Sequence, residues 1–291
     1  MEHEPLMAAK AAREVRAAIA ADQQKIADLI LLESHVHRHL DWRAPLDWLG
    51  HSPYWVIEEG TRLSGALACP PDPESIAWIR LFVFASYLSG QDAWRLMWEG
   101  ARGQLLEGGH TTAAAIAVQR WLDPILLGAG FELAGQIVLL ERADQPGPRI
   151  HVPPSIHLRP MTQADLPGVV EVDAAAFDPL WRNSLNALAQ AFEMAAYASV
   201  AEDASGLIGY QLSTGSEFGT HLARLAVRPQ VQRRGVGAAL VGDLLTQVPE
   251  EMAARVTVNT QADNAASLAL YNRLGFRRTG ERYPVYKLEV D

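Results

Sequence analysis

The six residues Gln232-Arg233-Arg234-Gly235-Val236-Gly237 hold two glycines and two arginines at the head of an amphipathic run. Val236, Leu240, Leu244 and Val248 are spaced four apart, as on one helix face. The apolar stretch His221 to Val227 ahead of them reads as a strand. A strand, a glycine-bearing turn and a helix start together make a cradle for phosphate. Glycine lets the backbone approach an anion closely. The N–H groups of a first helical turn point at the anion, and the helix dipole favours negative charge there. Arg233 and Arg234 add mobile positive charge, with Arg228 nearby.

A second constellation follows. Asn264 is a good N-cap and Gly275 a good helix terminator. Between them, Asn264, Ser267 and Tyr271 share one helix face through spacings of three and four. On spacing alone, Tyr271 reads as a half-buried aromatic that holds this helix to a sheet.

Val227-Arg-Pro-Gln-Val-Gln232-Arg-Arg-Gly-Val-Gly237, followed by Asn264-Ala-Ala-Ser-Leu-Ala-Leu-Tyr271-Asn-Arg-Leu-Gly-Phe276, resembles the GNAT superfamily of acetyl-CoA-dependent N-acetyltransferases. The first segment is similar to the family's Gln/Arg-x-x-Gly-x-Gly/Ala coenzyme motif, the second to its Asn-containing helix with a tyrosine ahead of Leu-Gly-Phe. The resemblance runs over about residues 156–289 and is strongest across 220–276. It implies acetyl-CoA as co-substrate, lying between two splayed strands, 220–227 and 255–261. It places the coenzyme against Leu225, Ala226, Val227, Gln232, Arg233, Arg234, Gly235, Val236, Gly237, Ala238, Asn264, Ser267 and Tyr271. It makes Tyr271 the proton donor to the departing thiolate, since a phenol of pKa ~10 stabilises a thiolate of pKa ~8.5 as it forms. No metal is expected.

The attacking amine must be neutral, so a base or a water chain is expected. Many family members place a glutamate on the strand before the coenzyme loop; His221 stands at that position here, and Glu217 in the preceding loop is the second candidate. A histidine near pKa ~6.5 can take the proton; a strand histidine bonded to a neighbour is the equal alternative. The ribosomal-protein alanine acetyltransferases, which this half also resembles, put a glutamate on the next strand, where this chain has Asn259. That departure disfavours a protein N-terminus as acceptor. Trp181 and Arg182, in Phe177 to Arg182, fall where the family's acceptor loop runs.

The elements that carry these groups read as strand 156–160, helix 163–175, a helical or loop segment 178–196 and a hairpin 198–214 turning at Asp203-Ala204-Ser205-Gly206. Strand 220–227, helix 235–247, strand 255–261, helix 264–274 and two closing strands follow. Alternating strands and helices predict an α/β fold with a mixed central sheet flanked by helices.

The same module occurs twice. Val15-Arg16 precedes Asp22 as Leu158-Arg159 precedes Asp165, at an offset of 143. Arg80-Leu81-Phe82-Val83 matches Arg224-Leu225-Ala226-Val227, and Gly130-Phe131 matches Gly275-Phe276. The expected organisation is two tandem GNAT-like domains, residues 1–150 and 151–291, divided at the proline-rich run Pro146 to Pro154. In the first copy the coenzyme glycines are replaced by Gln91 and Ala93, with Asp92 between them, and Leu126 replaces the tyrosine. That copy is expected to be degenerate and to bind no coenzyme. It holds seven of the eight tryptophans, of which Trp42 and Trp48 fall in a loop-rich stretch that favours a surface role.

At 291 residues, 49% hydrophobic and 20% charged, the chain has the composition of a soluble globular protein. No stretch has the ~20 apolar residues that span a bilayer, and the acidic start at Met1-Glu2-His3-Glu4 is not a secretory signal. Net charge of −9 argues against general nucleic-acid binding. The single cysteine, Cys69, excludes an intrachain disulfide and reads as a packed residue in a cytoplasmic protein. His35, His37 and His39 alternate, but the helical pattern before them predicts that they splay apart rather than hold a metal. The leading expectation is acetyl transfer to a primary amine of a small molecule by direct attack. A protein N-terminal or lysine acetyltransferase and a catalytically inactive acyl-CoA-binding sensor are the alternatives. A homodimer is compatible with the sequence.

Overall fold

The computed structural model describes residues 13–109, 111–143, 150, 152–217, 219–248 and 255–290. The acidic start and most of the proline-rich run lie outside these residues. Two compact units emerge, one made of 1–71, 77–132 and 288–291, the other of 72–76 and 133–287. The strand 133–143, which precedes the proline-rich run, thus belongs to the second unit.

The first unit runs through β1 (Arg13–Ala17), α1 (Gln23–Leu32), β2 (His35–Arg38), β3 (Tyr54–Glu59), β4 (Arg62–Ala68), β5 (Ile76–Trp78), β6 (Leu81–Phe84), α2 (Gly90–Glu107), β7 (Thr111–Ile116) and α3 (Asp123–Gly128). Its main sheet has the order β1-β3-β4-β6-β2, with every pairing antiparallel. β5 lies beside β7. Ile26, Val56, Ala66, Leu81 and Val83 form part of its core, with Trp48 buried among them. The expectation of a surface role for Trp48 is therefore corrected: the 3-10 turn Pro45–Trp48 folds the indole inward, and Arg43 and Arg80 stack on it at 4.4 and 4.6 Å. The helical pattern before the alternating histidines also stops sooner than expected. Helix α1 ends at Leu32, and His35 and His37 lie on β2. His35 stacks on Phe84, His39 stacks on Trp78, and His37 pairs through Nε2 with the Ile79 carbonyl. Burial pushes His37 down to about 4 and the fully buried Cys69 thiol up to about 12.

The second unit runs through β8 (Glu132–Ala143), β9 (His157–Pro160), α4 (Leu166–Ala176), α5 (Leu185–Met194), β10 (Tyr197–Asp203), β11 (Gly206–Ser216), β12 (Gly219–Val227), α6 (Val236–Gln247), β13 (Arg255–Gln261), α7 (Ala265–Arg273) and β14 (Arg277–Val290). The strand order is β14-β8-β13-β12-β11-β10-β9. Only β12 and β13 pair in parallel within the recorded registers, so the sheet is mixed. Two closing strands were expected after α7; one long strand, β14, stands there, and β8 supplies the strand beside β13. A stripe of Val236, Ala239, Leu240 and Leu244 at helical spacing buries one face of α6. Val236 and Leu240 pack with Ala201 and Ile208, each fully buried side chain of this kind contributing roughly 1.5–3 kcal/mol. No helix among the described residues is long and apolar enough to cross a membrane.

The duplication is written in one ion-pair motif. Arg16 grips Asp22 at 2.7 and 2.9 Å and Glu58 at 2.7 Å; Arg159 grips Asp165 at 2.8 and 2.7 Å and Glu202 at 2.5 Å. In both copies the aspartate also accepts a backbone N–H three residues upstream, from Ile19 and from Thr162. It thereby fixes the chain where the first strand turns into a helix. The Arg159 guanidinium holds Asp165 well below the ordinary carboxylate range. A carboxylate with a depressed folded pKa stabilises above its unfolded value of about 3.9 and loses that stabilisation as pH falls. Asp165→Asn is expected to lower unfolding free energy at pH 7 by about 1 kcal/mol. The gap to wild type should shrink as pH falls below about 4, as measured by urea denaturation across pH.

Candidate active site

β12 and β13 pair at three positions only: Thr220 with Val256, His221 with Thr257 and Leu222 with Val258. Beyond Leu222 the two strands part, although β12 continues to Val227 and β13 to Gln261. β12 stays bound to β11 on its other edge up to the Val227–Gly209 pair, while β13 stays bound to β8 up to Gln261–Ile137. The β11–β12 register shifts between Leu212 and Ser213, which leaves Ala223 as an extra residue where the strands part. Such a bulge bends its strand and raises local twist. The result is a crevice edged by Leu225, Ala226 and Val227, whose backbone groups on that side have no strand to pair with.

The crevice leads to the phosphate-type loop. After the 3-10 turn Pro229–Val231 the chain reaches Gln232, whose side-chain amide donates to the Val227 carbonyl at 3.1 Å and closes the turn. Arg233 has φ 61°, making it the one non-glycine residue with positive φ among the described residues. Gly235 has φ 89° and caps α6. Left-handed residues at a helix start turn successive N–H groups toward one point, the geometry of an anion nest. Arg233 and Arg234 are exposed. Arg228 is not available to this nest: it donates to the Leu207 carbonyl at 2.9 Å and pairs with Glu171 at 3.0 Å. Val236 turns its side chain into the core, so it offers the loop only its N–H. Gly237 faces α7, where an added Cβ would meet Leu270 Cδ2 at 3.2 Å. Gly235 itself has open space, the nearest atom to a Cβ being Pro153 Cγ at 3.7 Å.

Asn264 caps α7, its Oδ1 accepting the Ser267 N–H at 3.0 Å. This cap sets the helix that carries Tyr271. The Tyr271 ring is 4% exposed and shares a buried cluster with Leu222, Val258 and Phe276, the first two being the last paired residues before the crevice. Burial pushes the phenol well above its ordinary value, so it keeps its proton at neutral pH. No hydrogen bond engages its hydroxyl among the described residues.

His221 neighbours Leu222 on a strand, so it faces the side of the sheet away from Tyr271. Its Nδ1 pairs with Thr257 Oγ1 at 2.8 Å, and burial lowers its pKa, so the imidazole is neutral at pH 7. A proton donor and a proton acceptor thus sit on opposite faces of one opening. Glu217 is exposed at the tip of the β11–β12 hairpin, on the far side of the paired segment. At 3.3 Å per residue it is about 17 Å along the strand from where the crevice begins.

A buried network that local spacing does not predict lies on the His221 face. Asp173 on α4 is fully buried. Its Oδ2 accepts from Tyr210 at 2.5 Å and Arg224 at 2.8 Å, and its Oδ1 accepts the Asn183 N–H at 2.9 Å. Arg224 continues to the Trp181 carbonyl at 2.6 Å and lies 3.6 Å over the Phe177 ring. The network ties segment 177–183 to β12 directly beside the crevice. Arg182 is exposed and donates to the Phe177 carbonyl at 3.0 Å. One signal was readable: Asp173 interrupts the apolar stripe Leu166, Val169 and Val172.

In the first unit the matching strand edge is taken by the chain itself. β6 aligns with the crevice segment of β12 in the repeat, yet both its edges are paired, one to β4 and the other to β2. β2 occupies the edge that stays bare in the second unit. At the head of α2, Ser89 caps the helix, and a Cβ on Gly90 would lie 2.7 Å from Ile125 and 2.9 Å from Phe84.

Residues 164–276 match the sequence model of the acetyltransferase (GNAT) family, and this segment is a GNAT domain. The chain is 37% identical over 65 residues to the [ribosomal protein bS18]-alanine N-acetyltransferase of Escherichia coli strain K12. That stretch is 22% of this chain and 44% of the relative, so the chain matches less than half of that protein's length. Two solved structures share the fold along almost the whole chain. A GCN5-related N-acetyltransferase from Sphaerobacter thermophilus superposes with a TM-score of 0.64 at 17% identity, covering 96% of each chain. A tandem GNAT protein from the clavulanic acid biosynthesis pathway gives 0.65 at 17% identity, covering 96% of this chain and 99% of that one. The fold is that of a two-domain GNAT protein.

Removing Asp173 would leave the Arg224 charge buried and uncompensated. Asp173→Ala is expected to lower stability by about 3 kcal/mol in guanidinium denaturation, with Asp173→Asn recovering part of that loss through the hydrogen bonds its amide oxygen keeps.

Proposed function

We propose that the chain transfers an acetyl group from acetyl-CoA to a primary amine, by direct attack within a ternary complex. The carrying observation is the opening between β12 and β13, with a protonated phenol on one face and a neutral imidazole on the other. The bound thioester would supply an activated acyl carbon and a thiol leaving group. The N–H groups at 233–238 and the two exposed arginines would hold its diphosphate, and the bare edge of 225–227 would pair with its amide arm. Asn264 and Ser267 support this site by ordering α7. Tyr271 gives its proton to the leaving sulfur. His221, oriented by Thr257, takes the proton that the amine loses as its nitrogen bonds to the acyl carbon. Segment 177–183, with Trp181 and Arg182, borders the acceptor side.

A small-molecule amine is the first reading of the acceptor. A protein amine is the second, favoured by similarity to an enzyme named for acetylating a ribosomal protein. The first half is read as a degenerate copy, because β2 takes the matching strand edge and Gln91, Ala93 and Leu126 replace the glycines and the tyrosine.

Tyr271→Phe is expected to lower kcat at least tenfold while acetyl-CoA affinity stays unchanged, measured by free-thiol release with a panel of primary amines. Binding without thiol release by wild type across the panel would favour a sensor instead. Gly235→Glu places a carboxylate in the nest at a position with room for a Cβ. It should abolish acetyl-CoA binding by calorimetry and leave the melting temperature within a few degrees, since the left-handed backbone costs a side chain about 1–2 kcal/mol.

A further inference from the structure

Asn259 is the first residue of β13 beyond its last pairing with β12. It stands two residues after Thr257, on the same face of the strand, and Thr257 holds His221. Its neighbours Val258 and Thr260 point to the other side, Val258 into the Tyr271 cluster. Asn259 and His221 therefore share the sheet face opposite the phenol, His221 in the last paired stretch and Asn259 on the first residue past it, where the crevice begins. The Asn259 Oδ1 atom is buried, and no donor among the described residues reaches it. An amide carbonyl so placed costs free energy until an N–H arrives. The Asn259 backbone is paired to Leu139 on β8, while the strand edge toward β12 is open from this residue on, so the crevice offers the approach.

We infer that Asn259 is an acceptor-binding residue that accepts one N–H of the attacking amine and so selects primary over secondary amines. This rests on the acetyl-transfer reading above. A neutral primary amine carries two N–H bonds. One proton leaves to His221 as the carbon–nitrogen bond forms; the other stays and donates to Asn259 Oδ1, and remains as the N–H of the amide product. The carbon–sulfur bond breaks and the thiolate takes its proton from Tyr271. A secondary amine has one N–H, which it must give up, so it leaves the buried carbonyl bare. Sites built around a buried polar group reject partners that cannot satisfy it. The strand position also explains why asparagine suffices here: the group is needed to accept a hydrogen bond, and the proton goes elsewhere.

The test uses the full chain and whichever primary amine of a panel of polyamines, amino acids, amino sugars and an N-terminal alanine peptide turns over best, together with its N-methyl analogue. Wild type should favour the primary amine at least tenfold in kcat/KM. Asn259→Ala should raise the acceptor KM at least tenfold, narrow the primary-to-secondary ratio below threefold, and leave the acetyl-CoA dissociation constant unchanged by calorimetry. Asn259→Asp keeps an accepting oxygen and should hold the acceptor KM within about threefold of wild type. An unchanged acceptor KM and ratio in Asn259→Ala, or a loss of acetyl-CoA affinity in place of them, would overturn the assignment while the acetyl-transfer reading stands. If wild type releases no thiol with any amine, that reading falls and this one with it.

Discussion

Three paired positions decide what this molecule can do. Parallel strands β12 and β13 hold each other at Thr220, His221 and Leu222 and then separate. A sheet normally satisfies every backbone group along an interior strand, so an interior edge left bare is an unmet demand for a partner. Everything else described in the second unit serves that gap. β11 and β8 hold the two strands from outside. The bulge at Ala223 starts the divergence, α6 brings its N-terminus to one end, and α7 brings a phenol beneath.

Much of this was legible in the residues. Gly235 and Gly237 before a four-spaced apolar stripe announced a helix start, and the helix begins at Val236. Asn264 announced a cap and makes one. The hairpin turn at Asp203 to Gly206 and the strand 255–261 follow the alternation of their sequences. These are local rules, and local rules are readable. Contacts between distant residues were not. The Asp173, Tyr210 and Arg224 network joins three elements, and no spacing within one element encodes it. Leu29 and Ile30 predict that a helical pattern continues into β2; tertiary pairing with β6 outweighs that pattern. Trp48 stands in a loop-like stretch, yet a 3-10 turn and two stacked guanidinium groups carry it into the core. The count of closing strands failed for a similar reason, since β8 comes from far upstream in the chain.

The repeated Arg–Asp–Glu clasp shows which part of the module is scaffold. Arg16, Asp22 and Glu58 reproduce Arg159, Asp165 and Glu202 almost atom for atom. The clasp orders the strand-to-helix entry of each copy, far from the crevice in sequence. The groups around the crevice, by contrast, differ between the copies at nearly every position: Leu126 for Tyr271, Ala93 and Gln91 for the two glycines, Ala77 for His221. Fold and chemistry are carried by separate residues in the same module.

The strand His35–Arg38 fills with protein backbone the edge that the second unit leaves to a guest. A copy sealed by its own chain is complete without any small molecule. A copy with an open edge is completed only when something else supplies the missing hydrogen bonds. A ligand that filled the open edge would lend its mass-action stability to residues 133–287. On the proposed reading, the half with the filled edge is the half whose stability does not vary with coenzyme supply.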